Sequence, residues 1–427
     1  MKSHLSSLVL IGSLTLGGLT TLAQEGNPGA VVPDNYIVEL HPGAIPTAVA
    51  ARHGLAPKFV YKTAINGFAG FVPPGILKKL QADPDVVTIA PDREVAAIGK
   101  PSGGGTARRA DQLVPAGVHR IGADQVFINT ADVGVAVVDT GLDTTHPDLN
   151  VSASFYSAYT TTGKDDHGHG THVGGIIAAK NDGYDVVGVA PNATLYAVKV
   201  LNRSGSGTDS TVMDGLDWIA ENYETVVPNI RVVNMSLGRP GYAGDNSTYQ
   251  TALEKLDTFG ITVVVAAGND STVEISNEVP ACYPQVIAVA STTALNGKSS
   301  YRGFAGIPAD TASYFTTDGA GVEISAPGED QENVSRTGAI STVGILSTRL
   351  GGGTTRMSGT SMASPHVVGV AALIYANYPT ATADDVRTKI TSTASNVGTV
   401  PLNSPTFTYT FDGVREGVVS AAAALAQ

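Results

Sequence analysis

A chain of 427 residues with 42% hydrophobic content can fill one large core and one small one, which excludes a mainly disordered protein. Its formal charge is −12 with the acidic residues scattered, so it offers no basic face to nucleic acid or to an anionic membrane. The single cysteine, Cys282, excludes an intramolecular disulfide and reads as a buried structural thiol, so stability must come from packing or bound ions.

Residues 1–23 begin with Lys2, continue through LSSLVLIGSLTLGGLTTL and end at Ala23 with the small Thr21 two positions before it. That is the layout of a signal peptide cleaved after Ala23, which predicts a secreted, extracellular protein. An uncleaved anchor is the rival, opposed by a run that is barely long enough and is diluted by Gly, Ser and Thr. Residues 35–96 then alternate NYIVEL, TAVAARHGL, FVYKTA, GFAGFV, GILKKLQADP and VVTIA, a βαββαβ order that predicts a small ferredoxin-like α+β domain spanning 24–98. The Gly-rich, basic GKPSGGGTARRAD follows as an exposed linker, 99–110, open to proteolysis.

From residue 111 to 427 the texture changes. Apolar runs (GVAVVD, TLYAVKVL, RVVNMSL, ITVVVAAG, QVIAVAS) alternate with helical stretches such as THVGGIIAAK and MASPHVVGVAALIYANY. Strands apolar on both faces predict an α/β fold, a mainly parallel sheet with helices on both sides. In such sheets, function collects where strands end and helices begin.

Three segments sit at such places. Asp139 closes a buried strand in VAVVDTGLDTTHPDL, His169 begins a helix in DDHGHGTHVGG, and Ser361 begins a long apolar helix in SGTSMASPH. A serine hydroxyl is a weak nucleophile that needs a base within reach, and the base needs an acid to hold its tautomer. Each residue alone has a plain structural reading; their surroundings carry the argument. VVDTG, HGTHVGG and SGTSMASPH, in that order, resemble the active-site motifs of subtilisin-like serine proteases from about Gln112 onward, and residues 35–96 resemble that family's inhibitor-like propeptide.

The resemblance implies a serine endopeptidase made as a zymogen. Ser361 would attack the scissile carbonyl, His169 would carry the proton and Asp139 would steady the imidazolium. VVVAAGND nominates Asn269 and the Ser361 backbone N–H for the oxyanion. Gly205, Ser206 and Gly207 on one side, and Ser236, Leu237 and Gly238 on the other, would pair with an extended protein or peptide substrate. Ala266 and Gly268 would wall a roomy first specificity pocket, so broad specificity is expected. By the same resemblance, structural calcium would be held by the side chains of Gln112, Asp148 and Asp182 with the carbonyls of Lys180, Tyr184 and Val186, against the plain reading of a solvated loop. The propeptide would serve as intramolecular chaperone and inhibitor of a monomeric enzyme. Its removal would fall between Ala97 and Asp111, by self-processing or by another enzyme at Arg108 or Arg109.

Three features depart from the pattern. Residues 330–343 look like extra loop length, Ala116 stands where relatives often carry an aromatic residue, and Thr292 stands where many place an acid beside a second cation. A zinc reading of His167, His169 and His172 is incompatible with His169 as a base. An α/β-hydrolase esterase would carry its serine in a GxSxG elbow and first in order, and an inactive binding protein would lack one of the four reacting groups. The N-x-S/T triplets, Asn234 and Asn269 among them, are read as chance.

Overall fold

The computed structural model describes residues 27–101, 105–106, 109–395, 402–404, 412, 414 and 416–426. The expected signal peptide and Arg108 lie outside these. Strands Val31–Leu40, Phe59–Tyr61, Gly67–Phe71 and Val86–Ala97 with helices Pro46–Arg52 and Pro74–Gln81 form the N-terminal domain in the predicted βαββαβ order. The first strand lies between the third and fourth, antiparallel to both, and the second adds outside the third. Each helix has a proline in its first turn, where the missing N–H costs nothing. Alternate strand residues serve two faces. Val38, Leu40 and Phe68 close on Val49, Ala50 and Leu80 of the helices, whereas Ile37, Tyr61 and Ala69 face away and join the core of the large domain.

The large sheet runs Lys100–Pro101, Thr354–Ser358, Ile340–Thr348, Ile324–Val334, Ile287–Thr293, Thr262–Ala266, Ile230–Met235, Gly134–Asp139, Thr194–Lys199, Val151–Ser157. Pairing is parallel from Ile324–Val334 through Val151–Ser157 and antiparallel at the other end. Val135, Val137, Leu195 and Val264 pack under helices His169–Ala178 and Thr360–Asn377. Ala136, Val138, Val198 and Val263 pack under helices Asp209–Asn222 and Ser247–Thr258.

The extra length at 330–343 is not a loop. It is most of an antiparallel hairpin between Ile324–Val334 and Ile340–Thr348, in which Asn333 pairs with Ser341 and Val334 with Ile340. The run DQENV mixes polar and apolar residues as a strand with one wetter face does, and its charge density hides that in the sequence.

Candidate active site

Asp139 ends its strand fully buried, its Oδ1 accepting the Thr140 N–H at 2.7 Å. Both its oxygens lie against His169 Nδ1, at 2.8 and 2.9 Å. His169 is the first residue of its helix. The preceding turn is held by Asp165, which accepts the N–H groups of His167, Gly168 and Thr171 and the hydroxyls of Thr140 and Thr171. Gly170 is required beside it, because a Cβ there would lie 2.1 Å from the Gly141 carbonyl oxygen. Burial opposes a charge on His169, but the Asp139 carboxylate outweighs it, and the imidazole is raised above its ordinary value.

Ser361, the second residue of helix Thr360–Asn377, is fully buried. Its hydroxyl donates to the Ser236 carbonyl at 3.0 Å, while His169 Nε2 has no hydrogen-bond partner among the described residues. What stands before that nitrogen is the chain itself: a Cβ added at Gly99 would come 2.8 Å from Nε2. The strand Val86–Ala97 runs on out of the small domain into the cleft. Glu94, Val95 and Ala96 pair with Thr208, Gly207 and Ser206, and on the other side Ala97 and Ala96 pair with Leu237 and Gly238. Ala97 N–H donates to Gly205 O at 2.9 Å and Ile98 N–H to Ser236 O at 3.2 Å. Beyond Gly99, Lys100 and Pro101 pair with Ser358 and Met357.

At the turn of this path the Ile98 carbonyl accepts from Asn269 Nδ2 at 3.0 Å. That amide is locked, since its oxygen accepts the Thr360 N–H and hydroxyl, both at 3.0 Å. Sequence reasoning missed Thr360, Asp165 and the buried chain in which Ser364 bonds Asn234, Asn234 bonds the Ser236 hydroxyl, and that hydroxyl bonds Ser361 O. Nothing in composition marks them; Asn234 was legible only as a glycosylation triplet. Gly238 and Gly268 line the pocket beside Ile98 together with Glu278, a carboxylate not anticipated there. Ala266 is buried at the end of its strand and is not one of those lining residues.

The expected cation loop also draws together. Gln112 Nε2 lies 2.7 Å from Lys180 O, 3.4 Å from Tyr184 O and 3.3 Å from Val186 O. Asp148 is fully buried with Oδ1 unpartnered among the described residues, and burial pushes its carboxyl up to about 7. Asp182 instead pairs with Arg109 at 2.6 Å. Among the described residues no group of three or more His, Cys, Asp or Glu side chains is arranged to hold a metal. His172 Nε2 is turned to Ile345 O, away from any shared site with His169. Cys282 is half-buried and unpaired, its thiol pushed up to about 11 by burial.

A side-chain amide on the Ile98 carbonyl, an imidazole–carboxylate pair against Gly99 and a helix-start serine whose hydroxyl is turned to Ser236 O are the kinds of group found in the class of serine endopeptidases. The chain belongs to the subtilase family, whose model matches residues 130–410, and residues 35–97 match the peptidase inhibitor I9 family, a propeptide domain. It is 40% identical to subtilisin DY of Bacillus licheniformis over 296 residues, 67% of this chain and 93% of that protein. It is 36% identical to subtilisin amylosacchariticus of Bacillus subtilis subsp. amylosacchariticus over 341 residues, 78% of this chain and 77% of that protein. A thermostable alkaline protease of Halalkalibacterium halodurans is 38% identical over 333 residues, 76% of this chain and 77% of its own length.

Proposed function

We propose that the chain is the secreted zymogen of a broad-specificity endopeptidase in which Asp139, His169 and Ser361 form the triad, and that Ile98–Gly99 is the first bond it cuts. One observation carries this: Asn269 already donates to the Ile98 carbonyl while Gly99 lies against His169 Nε2. Ser361 Oγ attacks the Ile98 carbonyl carbon as its proton passes to His169 Nε2, and Asp139 holds the Nδ1–H. Charge developing on the Ile98 oxygen is met by Asn269 and the Ser361 N–H, both fixed before the reaction. Collapse breaks the bond to Gly99, whose nitrogen takes the proton from His169, and water then releases Ile98 from the acyl-enzyme by the reverse transfers. Main-chain pairing on both sides of the tail asks little of sequence, which supports broad specificity. On this reading 1–23 is the signal peptide, 24–98 the propeptide, 99–110 the linker and 111–427 the catalytic domain. Among the described residues no helix is long and apolar enough to cross a membrane.

Calcium fits the loop around Gln112. Asp148 offers a buried, unpartnered oxygen, and turning the Gln112 amide by half a turn exchanges its nitrogen for an oxygen beside the Lys180, Tyr184 and Val186 carbonyls. Asp182 would complete the set on leaving Arg109. The ion would supply structural restraint and takes no part in catalysis.

The test is treatment of the secreted protein with a serine-directed sulfonyl fluoride. One adduct mapped to Ser361, with matching loss of casein hydrolysis, supports the reading; full hydrolysis without an adduct, or an adduct elsewhere, overturns it.

A further inference from the structure

The pocket beside Ile98 is not the neutral cavity that small-residue walls suggest. The Ile98 side chain enters it over Gly238, where an added Cβ would lie 3.0 Å from Ile98 Cδ1. The opposite wall holds Glu278, whose carboxyl carbon sits where a Cβ on Gly268 would come within 3.2 Å, one residue from Asn269. Strand Glu278–Val279 is pinned there by pairing with Pro240 and Arg239. Glu278 is 8% exposed.

The guanidinium in the same pocket does not neutralise it. Arg239 also lines the pocket, but its N–H groups are taken by Asp209, Asp245 and the Pro240 carbonyl. Among the described residues the Glu278 carboxylate has no hydrogen-bond or ion-pair partner, and its oxygens are not fully occluded, so they remain open to the pocket. The other charge acting on it is that of Asp270, of the same sign; burial, with that repulsion added, pushes its carboxyl up to about 7. A buried carboxylate without a partner is costly, and a cation brought into reach relieves that cost.

We propose that Glu278 biases the first specificity pocket toward cations, so that within its broad range, which still admits apolar residues such as Ile98, the mature enzyme cleaves after Lys or Arg faster than after neutral side chains of the same length. The inference rests on Ile98 being the residue before the cut. Beside the apolar Ile98 burial favours the protonated carboxyl, whereas a substrate ammonium or guanidinium reaching past Gly268 would favour the ionised one.

The experiment compares kcat/KM at pH 8.5 on peptides that differ only in Lys, Arg or norleucine before the cut. Mature wild type and Glu278→Gln are used, each counted by sulfonyl-fluoride titration of its reactive serine. The expected result is a Lys-to-norleucine ratio about tenfold or more lower in Glu278→Gln. An unchanged ratio overturns the proposal. A second arm needs no variant: between pH 8.5 and pH 5 the wild-type ratio falls as Glu278 takes up a proton, and the shared His169 cancels from it. A ratio independent of pH overturns the proposal even if Glu278→Gln fails to fold. Wild-type protein without a titratable serine would instead overturn the catalytic reading beneath it.

Discussion

Replacing Asp217 by Ala should free the catalytic domain from its own inhibitor while leaving its chemistry intact. Asp217 projects from helix Asp209–Asn222, is 4% exposed, and accepts three consecutive propeptide N–H groups: Lys62 at 3.0 Å, Thr63 at 2.7 Å and Ala64 at 2.7 Å. Each such bond is worth at least about 1 kcal/mol net, and more to a charged acceptor, so the set contributes at least about 3 kcal/mol to docking, or at least about 100-fold in affinity. Adding residues 24–98 as a separate chain to mature enzyme should give a Ki at least about 100-fold weaker for Asp217→Ala. Asp217→Asn should fall between, because one amide oxygen can still accept from Thr63 and Ala64 but carries no charge. Hydrolysis of a short peptide should match wild type within about twofold, since Asp217 touches none of the reacting groups. A Ki for Asp217→Ala within twofold of wild type would refute the idea that this contact holds the two domains together.

Gly99→Ala places a Cβ 2.8 Å from His169 Nε2 and should slow release of the propeptide by about 100-fold in a pulse-labelled time course. As the base of the proposed triad His169 would have to be neutral to accept a proton, and against the effect of burial Asp139 raises it above 6.5; kcat should therefore be lost as pH falls through a midpoint above 6.5, read from a pH–rate profile. Chelation should leave the initial rate intact but shorten the half-life of the mature enzyme by self-digestion; calcium at about 100 times its Kd should restore about 2.7 kcal/mol, and equal half-lives would contradict the ion's role.

The fold was largely legible because its strands are apolar on both faces and its helices begin at conspicuous turns. GVAVVD and ITVVVAAG read as buried strands, and they are interior strands of the sheet, on either side of Ile230–Met235. The domain order in residues 35–96 was equally plain, since each element there is short, amphipathic and punctuated by Pro or Gly. What escaped was what only tertiary placement creates. Glu278 lies in NEVP, a stretch that reads as surface, and reaches the pocket through pairing with Leu237–Pro240, some forty residues earlier. Asp165 looks like one of two acids in a polar turn until its five hydrogen bonds around His169 are seen. Asp217 looks like a solvated helix residue, because its partners belong to another domain. The hairpin at 324–348 was hidden by charge, and burial there leaves Glu332 pushed up to about 7.

The central claim is that the cleft holds its own first substrate, and intact mass of the expressed precursor tests it most directly. Wild-type protein should yield a catalytic fragment beginning at Gly99 and a propeptide ending at Ile98, while Ser361→Ala should stay joined at that bond. A Ser361→Ala protein cut between Ile98 and Gly99, or a wild-type protein whose first cut falls at Arg108 or Arg109 with Ile98–Gly99 intact, would contradict it.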